Sequence, residues 1–282
     1  MEGLEGCDPD AIRYEAHWRP VLEGASLALL GRLADVVRVT GAFCLSPVLL
    51  DVGAGTGGLV IPATLRWPGA RLVGLDPSAG MLSVARRRAE LAGLGDGAGG
   101  GGRLTWLAAP AETIPLADGS VDVAMSAFVL QLVQDRAAVL RELVRVLRPG
   151  GVLAFVTWLE PHETMPADEE FDEAVVDLAI EEPEAEPEER EDDFQSPESA
   201  AHELEVAGFV QARADGGELR YAWTRAAYLR FKEEYDEHHL FGSLDGPGRD
   251  RLIACVTERW ARLPAETFVF RHPIVTALAV RP

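Results

Sequence analysis

The chain has 282 residues, 48% of them apolar, and a formal net charge of −20. That length and apolar share suffice for one large α/β domain or a domain with a lid, and no uninterrupted apolar run approaches the roughly 20 residues of a membrane span. Cys7, Cys44 and Cys255 are odd in number, far apart and carry no C-x-x-C pair, so neither a disulfide framework nor a zinc site is indicated, and a reduced cytoplasm is the default expectation.

The charge is local. Between Glu160 and Asp193 stand 17 acidic residues and one basic residue, Arg190. The rest of the chain is near balance and offers no basic surface for nucleic acid. The first ten residues are acidic and contain glycine, unlike a secretion signal.

In chain order, residues 10 to 40 read as helical, with Tyr14, Trp18, Val21 and Leu22 on one face and Pro20 dividing two helices. This segment either packs on a sheet or caps a ligand with Tyr14 or His17. Thr40-Gly41 reads as a stop, and Ser46-Pro47 leads into a strand. The apolar run Val48 to Val52 contains an acid, Asp51, and enters a turn crowded with Gly53, Gly55, Gly57 and Gly58. A helix at about Leu59 to Leu65 follows. Strand, glycine turn and helix start together form a nucleotide-type crevice, because glycine lets a ligand approach the backbone closely. Gly53, Gly55 and Gly58 fit the dinucleotide spacing G-x-G-x-x-G, which leaves the nucleotide open.

Arg71 to Asp76 reads as the second strand, with Asp76 placed to accept from ribose hydroxyls or to cap the next helix, expected to begin at Pro77-Ser78. Met81 can lie against adenine or in the helix core. After the helix Ala79 to Leu91, the glycine run 93–102 reads as a flexible surface connection, and Arg103 to Ala108 as a third strand. Val121 to Ser126 reads as the fourth strand, with a helix expected near Phe128 to Gln131 and another from Asp135 to Leu147. Arg148-Pro149-Gly150-Gly151 then turns into a fifth strand, Val152 to Trp158, with Pro149 stopping the helix and both glycines supplying positive φ.

Three motifs carry a resemblance. Asp51 to Gly57, a D-x-G-x-G-x-G stretch, is similar to motif I of class I S-adenosylmethionine (SAM)-dependent methyltransferases. The segment Ala111-Glu112-Thr113-Ile114-Pro115-Leu116 followed by Asp118-Gly119-Ser120-Val121-Asp122 resembles that family's passage from third to fourth strand. Leu147-Arg148-Pro149-Gly150-Gly151 resembles its helix-to-strand turn. The match covers about residues 48 to 158. The placement of Ala226 to Phe231 resembles the helical insertion of small-molecule methyltransferases of the ubiquinone/menaquinone-biosynthesis type.

The resemblance implies a Rossmann-like, mostly parallel seven-stranded α/β sheet with helices on both faces and helical lid elements. It implies SAM as cofactor and S-adenosyl-L-homocysteine as product. Asp51, Gly53, Ala54, Gly55 and Gly57 would shape the methionine end, and Asp76 and Pro77 the ribose side. Met81, Ala111 and Glu112 would border adenine, with Ser126 and Tyr14 completing the set. Where the family often has an acid for the adenine amino group, this chain has Pro110. No metal is expected.

The expected division is an N-terminal helical cap at 1–45, a SAM-binding core at 46–159, a partly disordered acidic insertion at 160–195, and a C-terminal part at 196–282. In the insertion, Phe171, Ala174, Val175 and Leu178 form one apolar stripe on a lid helix, and residues 181–189 read as a mobile acidic loop. Ser196 reads as a helix N-cap and Gly208 as its stop. Strands are expected around Phe209 to Ala212 and Leu219 to Trp223, helices at Arg225 to Glu237 and Arg249 to Leu263, and a last strand within Thr267 to Val280.

No catalytic set stands out. Base candidates are His17, His162, and the pair His238-His239 in a loop-like segment, while Trp158 can floor an acceptor pocket or pack in the core. Ser126-Ala127-Phe128-Val129 does not match the N/D-P-P-Y motif of nucleic-acid amino-methyltransferases. The expected function is a cytoplasmic methyltransferase of a small molecule at O, N or C, away from nucleic acid and membrane, with a homodimer allowed. Competing readings are a SAM-binding protein without turnover, a protein methyltransferase docking a basic partner on the acidic insertion, and an NAD-dependent oxidoreductase.

Overall fold

The computed structural model describes residues 3–40, 46–94, 102–161, 164–181 and 192–282, without the side chains of 37–40. The expected glycine-run flexibility at 95–101, the acidic loop at 182–191 and His162 lie outside the described residues. The chain divides into two compact units. One comprises residues 1–161, 189–217 and 273–282, and the other 162–188 and 218–272.

The first unit holds a seven-stranded sheet in the order β3-β2-β1-β4-β5-β7-β6. Its strands are β1 (Val48–Val52), β2 (Arg71–Asp76), β3 (Leu104–Ala108), β4 (Val121–Ala127), β5 (Leu147–Trp158), β6 (Val210–Ala222) and β7 (Val269–Val280), the last two running on into the second unit. β1 to β5 pair in parallel, and β7 lies antiparallel to β5. The helices of this unit are α1 (Pro9–His17), α2 (Arg19–Thr40), α3 (Val60–Arg66), α4 (Ala79–Leu91), α5 (Arg136–Val146) and α7 (Pro197–Val206).

Both sheet faces are covered, as the near-continuous apolar strands require. Leu50, Val52, Val73 and Leu75 share a core with Val139, Leu140 and Leu143 of α5 and Leu204 of α7. Alternation turns Leu49, Leu72, Val123 and Met125 to the opposite face, where they are equally buried. There α3 and α4 pack on β2, and α2 on β5.

Four expectations are corrected. No helix forms at Phe128 to Gln131. Phe128 takes a left-handed φ of 58°, and the Gln131 amide donates to its carbonyl at 3.0 Å, pinning a reversal instead. α5 ends at Val146, three residues before Pro149, and only Gly150 has positive φ, while a Cβ on Gly151 would sit 2.8 Å from the Arg148 carbonyl oxygen. Residues 210–222 form one strand rather than two, because Gly216 and Gly217 stay extended instead of turning. Ser78, not Pro77, opens α4, its hydroxyl accepting the Met81 amide at 3.2 Å. Ser196 does cap α7, in a reciprocal capping box with Ser199, and Gly208 ends it at φ 103°.

The second unit contains α6 (Pro166–Asp177), α8 (Arg225–Phe231), a π-helical turn (Lys232–Asp236), α9 (His238–Ser243) and α10 (Gly246–Ala261). Phe171, Ala174 and Val175 are buried, as the stripe predicts, and the Trp260 indole donates to the Ala167 carbonyl at 2.8 Å. Tyr228 stacks on Phe231 and Trp260.

Candidate active site

The sheet order reverses between β1 and β4, and a crevice opens outside the carboxyl ends of these strands, the expected ligand position in an open α/β sheet. One wall is Asp51, Gly53 to Thr56, Gly58, Leu59 and Ala127. The other comes from the N-terminal helices through Tyr14, Arg19, Leu22, Glu23 and Ser26.

The glycine turn is built by strand pairing and left-handed backbone. The amides of Gly53 and Ala54 both donate to the Leu75 carbonyl at 2.8 Å, so the turn folds over the end of β2. Gly53, Gly55 and Gly57 have φ of 70°, 52° and 83°. At Gly53 a side chain is also excluded by space, because a Cβ would overlap the Val129 isopropyl group.

Asp51 is 1% exposed. The Val60 amide at the start of α3 bonds its carboxylate, but Oδ2 has no partner, the only such buried side-chain oxygen or nitrogen among the described residues. Burial, with the nearby charge of Asp76, pushes its pKa well above the ordinary carboxylate value. A buried acceptor without a donor is costly, and a ligand ammonium in the crevice would satisfy it. These residues therefore fit the methionyl amino group of SAM.

Asp76 ends β2 and is also buried. Its Oδ2 accepts the Gly55 amide at 2.8 Å and its Oδ1 the Ser78 amide at 2.8 Å. Burial raises its pKa despite these two bonds. Cap and ligand acceptor are thus compatible roles, since each carboxylate oxygen has a second lone pair.

Other expected site residues are placed as follows. Tyr14 reaches the crevice, with its ring edge 4.0 Å from where a Gly55 Cβ would stand. The Ala109 amide donates to the Asp76 carbonyl at 3.3 Å, which brings the segment leading to Ala111 beside β2; the Ala111 side chain itself is in the core. The Glu112 carboxylate accepts the Gln134 amide at 3.2 Å and so ties down the loop after β4. Met81 packs with Leu4, Ala11 and Val84, so its side chain is committed to the seat of α1. The Ser126 hydroxyl is buried and donates to the Val52 carbonyl at 2.9 Å, crosslinking β4 to β1 rather than facing a ligand. Pro77 is exposed.

His17 is the last residue of α1 and half-buried. His238 and His239 belong to the second unit and open α9, not a loop; their rings lie 3.8 Å apart, and His238 Nδ1 is 2.8 Å from the Tyr235 carbonyl. Trp158 ends β5 half-buried, its ring 4.4 Å from that of Phe128 and 6.3 Å from that of Trp18. Thr157 donates to the Gln131 side chain, which holds this aromatic group at the strand ends. Among the described residues no three His, Cys, Asp or Glu side chains are grouped to hold a metal, and no helix is long and apolar enough to cross a membrane.

Residues missed by sequence reasoning bond to the wall at Arg19 and Thr56. The Glu15 carboxylate accepts from the Thr56 hydroxyl at 2.6 Å and from Arg19 Nε at 2.8 Å, and pairs with Arg88 Nε at 3.0 Å. No spacing rule links position 15 to position 56, so only the fold brings them together.

Residues 50–155 match the family model described as a methyltransferase domain. Over 151 residues the chain is 38% identical to the demethylmenaquinone methyltransferase of Thermus thermophilus, covering 54% of this chain and 63% of that one. Over 106 residues it is 40% identical to a malonyl-[acyl-carrier protein] O-methyltransferase of Xylella fastidiosa, covering 38% and 33%. The chain thus spans less than two thirds of the length of these curated relatives. Its fold is similar to that of phosphoethanolamine N-methyltransferase 2 of Haemonchus contortus, solved with SAM, at a TM-score of 0.53 and 20% identity, over 92% of this chain and 52% of that one. The glycine turn after β1, all of β4 and β5 as far as Phe155 lie inside the matched segment, so this side of the crevice is similar to the methyltransferase domain family.

Proposed function

We propose that the chain transfers a methyl group from SAM to the O, N or C atom of a small-molecule acceptor. The observation that carries this reading is Asp51 Oδ2, a buried acceptor without a donor in a crevice walled by left-handed glycines. In this reading Asp51 takes the ammonium of the donor. Gly53, Ala54, Gly55 and Gly57 follow its methionyl chain, Asp76 accepts from the ribose, and Ala111 borders adenine.

Bound SAM would supply an already activated methyl group on a sulfonium. The chain's task is then to align acceptor and donor and to exclude water, effects worth roughly 7–11 kcal/mol in favourable cases. The half-buried Trp158 and Trp18 rings, with the buried Phe128 ring behind Trp158, offer an apolar surface at the end of β5, which favours a flat or apolar acceptor. The names of two relatives, a demethylmenaquinone methyltransferase and a malonyl-[acyl-carrier protein] O-methyltransferase, put both of those compounds in the acceptor panel. His17, His238 and His239 are the base candidates. The reading places the protein in the cytoplasm, acting without nucleic acid or membrane, and allows a homodimer.

Calorimetry with S-adenosyl-L-homocysteine and NAD in parallel tests the donor. Binding of the former is expected, and binding of NAD alone overturns the reading. Transfer of labelled methyl from SAM across an acceptor panel then tests turnover. Binding without transfer to any member would favour the SAM-binding alternative.

A further inference from the structure

The glycine turn has three residues in left-handed backbone, and such a turn loses much conformational freedom when it closes on a ligand. Thr56 sits between Gly55 and Gly57 and is 1% exposed. It is gripped at both polar ends. Its hydroxyl donates to Glu15 Oε2 at 2.6 Å, and its carbonyl accepts Arg88 Nη1 at 2.5 Å. Glu15 and Arg88 are themselves paired at 3.0 Å, and Arg19 donates to Glu15 from the next helix at 2.8 Å. The Glu15 side chain is only 13% exposed, so water competes weakly for these bonds.

The helix that delivers Glu15 is itself fixed to α4. Asp8 caps α1 by accepting the amides of Asp10 and Ala11, and it packs where a Gly80 side chain would stand. Leu4 and Ala11 pack on Val84, and Arg87 Nε donates to the Gly3 carbonyl at 2.6 Å. Glu15 therefore reaches Thr56 from a helix that lies outside the matched segment 50–155 and is seated on α4 within it.

We infer that Glu15 is a positioning residue for the cofactor site, acting through the Thr56 hydroxyl to hold the glycine turn in its ligand-ready shape. The inference rests on the SAM reading above for its ligand. It adds that the N-terminal helix, rather than the matched segment alone, sets cofactor affinity.

The experiment compares wild type, E15A, T56V, T56S and the E15A/T56V double variant. Calorimetry measures S-adenosyl-L-homocysteine affinity, and amide hydrogen exchange measures protection of residues 53–58 in the ligand-free protein. A charge-assisted hydrogen bond of this kind corresponds to roughly tenfold or more. E15A and T56V should each weaken binding by about tenfold, and the double variant by little more than either single one. T56S, which keeps the hydroxyl, should stay within about twofold of wild type. Exchange at 53–58 should quicken in E15A and T56V relative to β4, and not in T56S.

Affinity within twofold of wild type in both E15A and T56V overturns the inference, as does a double variant equal to the product of the singles. Equal weakening in T56S and T56V also overturns it. If E15A does not fold, the T56V and T56S pair decides alone. Wild type that fails to bind S-adenosyl-L-homocysteine sinks the SAM reading instead, and the exchange comparison still tests the clasp.

Discussion

Asp76 Oδ2 accepts the Gly55 amide at 2.8 Å, so the acid that ends β2 is bonded to the turn that follows β1. The same carboxylate holds the Ser78 amide at the start of α4. One side chain thereby joins the two βα turns that border the crevice, and any ligand hydroxyl it accepts would meet a carboxylate already oriented.

D76A removes both amide acceptors and the proposed ribose contact together. S-adenosyl-L-homocysteine affinity should fall at least tenfold in calorimetry, with D76N intermediate because its amide group keeps one acceptor oxygen. Unchanged affinity in D76A would remove the ribose assignment.

Asp51 yields a prediction with opposite signs for stability and binding. Its folded pKa is raised by burial, so the folded state binds more protons than the unfolded state above the ordinary value of about 3.9. Stability of the ligand-free protein therefore falls as pH rises from that value through the raised one, and the penalty persists at neutral pH. D51N abolishes the ionisation, so the ligand-free protein should melt higher at pH 7. The same variant should bind S-adenosyl-L-homocysteine more weakly, having lost the charge for its ammonium. Wild-type affinity should strengthen as pH rises through the raised pKa and that of D51N should not, which calorimetry across a pH series checks.

Much of the scaffold was legible because it is written in local chemistry. The Asp118 to Asp122 turn and the Arg148 to Gly151 turn turn out to be bonded through shared partners. Asp122 accepts from Arg148 at 2.5 Å and from the Val48 amide at 2.8 Å, while the Gly119 amide donates to the Arg145 carbonyl at 2.9 Å. Residues so tightly coupled in space leave a fixed pattern in sequence. The crevice was legible on its β1 side and, on the helical side, at Tyr14. Glu15, Arg19 and Arg88 come from three helices, and no periodicity relates them to Thr56. Ser126 and Met81 stood at family positions, yet here one is spent on the Val52 carbonyl and the other on the seat of α1. The reversal at Phe128 was not legible because Gln131, three residues on, is itself held by Thr157 of β5, a partner 26 residues away that no local pattern announces.

Gly53 supports a steric prediction. Its φ of 70° disfavours any Cβ, and a Cβ there would also overlap Val129. G53A should abolish measurable S-adenosyl-L-homocysteine binding at ligand concentrations that saturate wild type. G53A/V129A relieves the overlap but not the backbone strain, so binding should return in part, and full recovery would show that φ does not matter there.

The second unit carries a buried cation whose removal tests how that unit is held together. Lys232 is 4% exposed on the π-helical turn, with its ammonium 2.9 Å from Asp168, 2.6 Å from Asp236 and 3.6 Å from Glu237. It also lies 4.9 Å from the Phe171 ring centre, and the Tyr228 hydroxyl donates to Asp168 beside it. Burial opposes the charge, but Asp236 and Asp168 outweigh burial and hold the Lys232 pKa above its ordinary value. The raised pKa means that its contribution is fully present below about pH 10 and is lost only as pH rises through the folded value. K232M keeps the apolar stem and strands the carboxylates, at a cost of roughly 3 kcal/mol because an uncompensated charge remains. Calorimetry should show an unfolding midpoint lowered by about 6–12 °C for a chain of this size. The deficit should be constant between pH 7 and 9, where Lys232 stays charged. Adding D236N to K232M removes one stranded charge and should recover part of the loss, whereas D236N alone should destabilise wild type. A K232M protein as stable as wild type would mean that the helical unit is held by its Tyr228, Phe231 and Trp260 stack rather than by this charge cluster.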